Sequence, residues 1–387
     1  MVNARERGAA KVSSPVHAGR VTGHRLFTGR PGHCRHTGKR NRRRPDVNRT
    51  IRIAAAAVVG AGTLVGAASA LGASTGSGAT FPAIAYTKWC QDSGLCSYTA
   101  KGSGAGITDL TKGTVNWAGS DAPLDAGELA AIGGNIKYSP TLLGAVTIPV
   151  NIPGVATNKM NLDGQVLEGI FDSSITTWND KKIAAINKGV KLPANPITVC
   201  VRADSSGTSF VFSRCPGKTN ASSPDKGGSK TPNWTAPTLV KQPGNPGVAN
   251  CVASMPNSIG YVDSGDAIRA GLQPKIVKMG KKGGPYVGPS TSAIVKAGEV
   301  PAGTIKPDLT VDFSASPNVG AYPIVATAWV LIVPGRAANG EARKSVKYFL
   351  SPGAQKVLPS LGFAPLPAPL RTLANKQLSA SWRRSNR

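Results

Sequence analysis

Three segments of this chain share one design: Ser77-Gly-Ala-Thr-Phe81, Gly102-Ser-Gly-Ala-Gly106 and Asp204-Ser-Ser-Gly-Thr-Ser209. Each is a Gly/Ser/Thr turn placed between a strand-like run and a helix start. A helix N-terminus carries unpaired N–H groups and the positive end of the macrodipole. Glycine lets the backbone come close and Ser/Thr hydroxyls add donors, so each segment can cradle an anion. Taken singly, each also fits an ordinary helix cap. Two charged residues single them out. Arg202 ends an apolar run just before the third segment, where its fork can grip an oxyanion bidentately. Asp204 is placed to hold that guanidinium. Asp121 ends another strand-like run, beside Ser120.

Other chemistries are excluded by residue type. The chain has 4 histidines, at positions 17, 24, 33 and 36. A chain cleaved beyond them has none, which argues against Ser-His-Asp, Cys-His and His-ligated zinc chemistry. None of the three segments is a P-loop, because Gly-Lys-Ser/Thr is missing, and none completes G-x-G-x-x-G. No cofactor and no metal are expected. The net charge is +27, with 5% aromatic residues. Without an RNP motif, finger spacing or basic helix, that charge reads as a surface that attracts small anions or an anionic envelope, not nucleic acid.

Residues 1–52 form an Arg-rich polar leader, and 53–73 hold an apolar Ala/Gly-rich run ending in Ala68-Ser-Ala70. This pattern predicts a secretory signal cleaved after Ala70 or Ala73. An uncleaved anchor helix is the alternative. No cysteine stands at the cleavage site, so the expectation is export to the periplasm or cell envelope, not as a lipoprotein. The remaining cysteines fit an oxidising compartment. Cys90 and Cys96 can close a short loop. Cys215 and Cys251 can tie down the Pro/Gly/Lys-rich stretch between them, which leaves Cys200 over. Five cysteines do not fix a pairing.

The elements that must hold these segments alternate. A helix is expected from about Thr80, then a strand over Cys96–Ala100, a glycine loop over 102–106 and a helix from Ile107. Strands follow at 115–119, at Leu142–Val150, at 197–201, at 259–262 and at 325–333. Residues 214–247 read as a surface insertion, 343–350 as an amphipathic helix and 382–387 as a frayed tail. This alternation predicts an α/β architecture.

Several motifs together carry a resemblance. Gly-Ser-Gly-Ala-Thr-Phe-Pro-Ala (76–83), Lys-Gly-Ser-Gly-Ala-Gly-Ile (101–107), Gly-Ser-Asp-Ala-Pro-Leu (119–124) and Val-Asn-Ile-Pro-Gly (150–154) occur in order. Arg-Ala-Asp-Ser-Ser-Gly-Thr-Ser-Phe (202–210), the most specific, Gly244-Asn-Pro-Gly-Val, Ser258-Ile-Gly-Tyr-Val and Tyr322-Pro-Ile follow. Over about residues 76–367 the chain resembles the phosphate-binding proteins of ABC-type phosphate transporters, the PstS family. The resemblance implies a type II periplasmic-binding-protein fold, with two lobes, each a mostly parallel sheet flanked by helices, and two crossing segments. On that reading residues 74–146 begin lobe 1, 147–322 make lobe 2 and 323–387 return to lobe 1 and end in the tail.

The implied phosphate ligands are Thr80, Phe81, Ser103, Asp121, Arg202, Ser206, Gly207 and Thr208, with Asp204 orienting Arg202. Asp121 would be the selective group: a carboxylate only accepts, so the ligand must bring a proton. Hydrogen phosphate has one and sulfate at neutral pH has none; arsenate stays open. The implied function is an exported, monomeric phosphate receptor, not an enzyme, that closes by hinge bending and serves an ABC permease. The alternatives are a secreted phosphatase-like enzyme or a surface protein on the same fold.

Overall fold

The computed structural model describes residues 72–219, 227–280, 284–313, 316, 318–337 and 339–380. The expected leader, the signal segment up to residue 71 and the tail at 382–387 lie outside the described residues. The described chain opens with β1 (Ser74–Gly78), α1 (Ala83–Ser93), β2 (Cys96–Ala100), α2 (Ser103–Lys112), β3 (Trp117–Ser120), α3 (Ala126–Ala131) and β4 (Lys137–Thr147). It continues through β5 (Val150–Asn151), β6 (Asn161–Asp163), α4 (Gly164–Phe171), α5 (Lys181–Ala185), β7 (Thr198–Arg202), α6 (Gly207–Thr219), β8 (Leu239–Gln242), α7 (Gly244–Ser254) and β9 (Ser258–Gly260). The remainder is β10 (Val262–Asp263), α8 (Ser264–Arg269), β11 (Lys278–Gly280), α9 (Thr291–Gly298), β12 (Val325–Ile332), α10 (Asn339–Phe349), α11 (Pro352–Lys356) and α12 (Ala368–Ala380).

Two sheets organise these elements. The first has the order β10-β4-β12-β3-β1-β2, and the second β5-β9-β7-β8. In the first, β1 pairs parallel with β2 and β3 through helical crossovers, as such connections require. β12 runs antiparallel to β3 and β4, and β10 antiparallel to β4. This sheet is therefore mixed, not mostly parallel as expected. The chain leaves it along β4, and the strands that come back run against β4. The second sheet is mostly parallel, β7 pairing parallel with β8 and β9.

The chain changes sheet in two places. The apolar run Leu142–Val150 is one strand in the sequence reading, yet it divides after Thr147. Pro149 has no N–H for a ladder, and Val150 pairs with Ile259 of the second sheet. The run 259–262 divides likewise, β9 in one sheet and β10 in the other, with Tyr261 between them. The return to the first sheet thus begins at Val262, far ahead of the expected boundary at 322/323. α8 and α9 pack on β4, which places them with the first sheet as well. β6 and β11 make a separate parallel pair.

Burial follows composition. β4 and β12 are apolar and almost wholly buried, as befits strands covered on both faces. α1, α2 and α10 pack around β1 to β3. The rings of Tyr86, Trp89, Tyr98, Trp117 and Phe349 pack there both stacked and edge-on, with centroids 4.9–5.9 Å apart. A second group joins Phe171, Phe212, Trp234 and Tyr261. Trp234 belongs to the expected insertion, so that stretch is partly core. Within it α6 runs on to Thr219, β8 pairs with β7 and α7 starts at Gly244.

The disulfides are Cys90–Cys96, as anticipated, and Cys200–Cys251. The anticipated Cys215–Cys251 tie is not formed. Cys200 lies inside β7 and α7 packs on that strand, so Cys251 meets Cys200, while Cys215 is buried elsewhere on α6.

Candidate anion-binding site

Each cradle sits where its sheet ends and a helix begins. Thr80 and Phe81 lie in the turn between β1 and α1. Phe81 sends its ring into the core against Phe363, at 5.9 Å between centroids, so only its main chain faces the turn's polar groups. α2 starts at Ser103, earlier than the expected Ile107. Gly102 adopts φ 94, which L side chains rarely adopt, and this turn lets the helix begin at once. The third cradle leads from β7 into α6. Ser206 caps that helix, its hydroxyl accepting from Ser209 N–H at 3.1 Å.

Asp121 follows β3 and is 2% exposed. Ser103 Oγ donates to its Oδ1 and Thr208 Oγ1 to its Oδ2, both at 3.0 Å. Gly207 N–H donates to Ser103 Oγ at 3.1 Å. A Cβ on Gly207 would overlap Asp121 and lie 2.7 Å from Ser103 Oγ, so glycine is required for this approach. Arg202 ends β7 with its guanidinium buried. Its Nε donates to Asp204 Oδ1 at 2.8 Å and Nη2 pairs with Asp204 Oδ2. Nη1 reaches Thr208 Oγ1 at 3.4 Å and Asn245 Oδ1 at 3.1 Å. Gly244 N–H adds a further bond to Asp204 at 3.0 Å.

The two carboxyls are tuned in opposite directions. Burial raises Asp121 above the usual aspartate range, although Arg202, Thr208 and Ser103 pull it back. Burial also acts upward on Asp204, but the hydrogen bonds and charge of Arg202 outweigh it and hold that carboxyl below the usual range. Arg202 thus favours the charged form of Asp204, while burial works against the charge on Asp121.

The site is made by both sheets together. Thr80, Ser103 and Asp121 come with the first; Arg202, Asp204, Gly207 and Thr208 come with the second. Ser206 and Phe81 adjoin the network as chain neighbours of Gly207 and Thr80. Asn245 went unassigned in the sequence reading although the Gly-Asn-Pro-Gly motif that holds it stood out. It is fully buried, and its N–H donates to Thr80 Oγ1 across the cleft at 3.1 Å. A cavity of about 760 Å³ between α6 and the 304–313 segment is lined in part by Asp121.

Two sheets meeting around a buried Arg, an Asp and Ser/Thr hydroxyls invite comparison with known folds. The model of the PBP superfamily domain matches residues 57–353. Phosphate-binding protein PstS of Xylella fastidiosa (strain Temecula1) is 32% identical over 290 residues, covering 74% of this chain and 77% of that protein. The chain belongs to the PstS family. Phosphate-binding protein PstS 3 of Mycobacterium leprae is 32% identical over 296 residues, covering 73% of this chain and 78% of its own. The solved structure of the high-affinity periplasmic phosphate-binding protein PfluDING, bound with phosphate, superposes with a TM-score of 0.63 at 24% identity. It covers 79% of this chain and 93% of that one, and shows the shared fold. Among the described residues of this PstS-family chain, no helix is long and apolar enough to cross a membrane.

Proposed function

We propose that this chain is an exported receptor for inorganic phosphate that delivers its ligand to the permease of an ABC transporter and performs no chemistry. The observation that carries the proposal is a buried carboxylate, Asp121, set among donors and facing a buried arginine. The ligand set is Thr80, Phe81, Ser103, Asp121, Arg202, Ser206, Gly207 and Thr208, with Asp204 as the orienter of Arg202. Arg202 supplies charge-assisted hydrogen bonds. Ser103 and Thr208 turn their hydroxyls from Asp121 to phosphate oxygens, and the proton of hydrogen phosphate takes their place on the carboxylate. Sulfate brings no such proton and would set acceptor against acceptor in a desolvated cleft. A site built around such a hydrogen bond can reject the analogue by roughly 10⁴–10⁵.

The receptor opens and closes about Ile148–Pro149 and Tyr261, where the chain passes between the sheets. Closure of this kind buries the anion and offers the permease a surface found only in the loaded form. It works as a monomer, each chain carrying a complete site.

The test is calorimetric titration of the chain from Ser74, stripped of anion, with phosphate and then sulfate. One-to-one phosphate binding with sulfate ignored is the expected result. Binding of neither would refute the receptor reading, and turnover of a phosphomonoester would replace it with an enzyme.

A further inference from the structure

We propose that Asn245 is a positioning residue that fixes the direction of the Thr208 and Thr80 hydroxyl protons at the anion site, through its bonds to Arg202, Thr208 and Thr80. The inference rests on the phosphate reading above and extends it to a residue outside the ligand set.

The argument is a count of donors and acceptors. Asn245 lies in the first turn of α7 and is fully buried. Arg202 can only donate, so the amide edge facing its Nη1 must be Oδ1, at 3.1 Å. The other edge, Nδ2, then faces Thr208 Oγ1 at 3.2 Å and must donate to it. With donors from Asn245 and Arg202 on its oxygen, Thr208 has one proton to give, and it points away from both. That proton now goes to Asp121 Oδ2. The chain of bonds Arg202 to Asn245 to Thr208 to Asp121 thus has a single polarity, set at one end by a group that cannot accept. The same logic holds across the cleft. The N–H of Asn245 donates to Thr80 Oγ1 at 3.1 Å, so the Thr80 proton is turned away from that N–H.

An anion gains from donors whose oxygens are held in place before it arrives, since ordering a loose side chain on binding costs free energy. Without the Asn245 amide, Thr208 keeps only the longer bond from Arg202 on its oxygen, so its hydroxyl is held less firmly against Asp121. The charge bearing on Asp121 is Arg202 from β7. The phenols that feel the Asp121 charge, Tyr86 from α1 and Tyr98 from β2, are kept neutral by burial. Weakening of the Thr208 bond therefore moves the Asp121 carboxyl further up. A protonated Asp121 can donate, and it then accepts sulfate.

The experiment compares the wild-type chain, Asn245→Ala, Thr208→Val and the double variant, titrated with inorganic phosphate and with sulfate across a falling pH series. Asn245→Ala should weaken phosphate binding about tenfold to a hundredfold, the range for hydrogen bonds to charged groups. The double variant should be little worse than the worse single one, because both remove the same directed donor. Sulfate binding should set in at higher pH in Asn245→Ala than in the wild type. Losses that simply add, with the pH onset for sulfate unmoved, would show that Asn245 only packs α7 and overturn the inference. If Asn245→Ala does not fold, Asn245→Ser, which keeps a polar group too short to span both partners, must show the same coupling and pH onset or the inference falls. A wild-type chain that binds no phosphate overturns the underlying receptor reading, a result distinct from wild-type binding with additive variants.

Discussion

On the proposed phosphate reading, Arg202 and Asp121 divide the work of recognition between attraction and rejection. Removing Arg202 by an Arg202→Ala change leaves Asp204 and the anion unpaired in a buried site. It should cost about 2–5 kcal/mol of phosphate affinity, as for other buried charge pairs; an unchanged dissociation constant would refute its role. Gly207→Ala tests the closeness of the lobes. The added methyl meets Asp121 and Ser103 across the cleft, yet alanine suits the start of a helix. Affinity should fall about tenfold or more, as for overpacking, while the melting temperature holds or rises. The pH dependence has two signs. Asp204, held low, contributes stability above its ordinary pKa that is lost only as pH falls through its depressed value. Asp121, held high by burial, takes its proton earlier on acidification, and its contribution grows as pH falls. Acidification should thus abolish sulfate rejection before it loosens Arg202, which competition titrations at successive pH values would detect. At this scale the sequence was informative: residues at strand ends before glycine-rich turns are chemically suggestive by type. Asn245 was not legible, because its role depends on residues 80, 202, 208 and 245 meeting in space.

The elements that carry these residues are held by two ties of different span. Cys200–Cys251 joins β7, which ends in Arg202, to α7, which begins beside Asn245, across a separation of 51 residues. Cys90–Cys96 closes a loop of separation 6. Longer loops gain more from closure, so the double replacement Cys200→Ala/Cys251→Ala should cost about 2–4 kcal/mol and exceed the cost of Cys90→Ala/Cys96→Ala. It should also weaken phosphate binding, since Arg202 and Asn245 share a hydrogen bond. Equal melting curves for the two double variants would contradict this. Apolar runs marked most strands, but the points where a run changes sheet were hidden. Ile148-Pro149 and Tyr261 are as apolar as their surroundings, and hydrophobicity does not say which sheet a residue joins. The cysteine pairing was hidden for the same reason. An interior strand cysteine looks like core until the helix that covers it is known.

Across the whole molecule, the proposed closure involves more than the anion site. Lys230 pairs its ammonium with Glu128 on α3 of the first lobe, while its carbonyl accepts from Ser206 N–H of the third cradle at 2.9 Å. Arg214 on α6 pairs with Asp312 at 2.7 Å, and the Asp312 segment is tied to the first sheet where Trp329 of β12 donates to the Leu309 carbonyl at 3.1 Å, so this is a second bridge between the sheets. Lys230 comes from the stretch that composition marked only as a basic insertion, because lysines in such a stretch look alike until one of them meets Glu128. Both pairs are partly exposed, with side-chain exposures of 9% and 21% for one and 23% and 29% for the other, so screening limits their strength. On the proposed hinge closure their place gives them a kinetic role even so: each pair breaks before the lobes part. Lys230→Met keeps the length of the side chain and the carbonyl contact but removes the charge. It should speed phosphate release by up to about fivefold, the equivalent of a partly exposed pair, with little change in melting temperature. Asp312→Asn should do the same from the other bridge. Salt should speed release from the wild type, and less so from either variant, because the screened interaction is already gone. A release rate that neither variant alters, with the wild-type salt response retained, would mean that the anion and its cradles alone hold the lobes together.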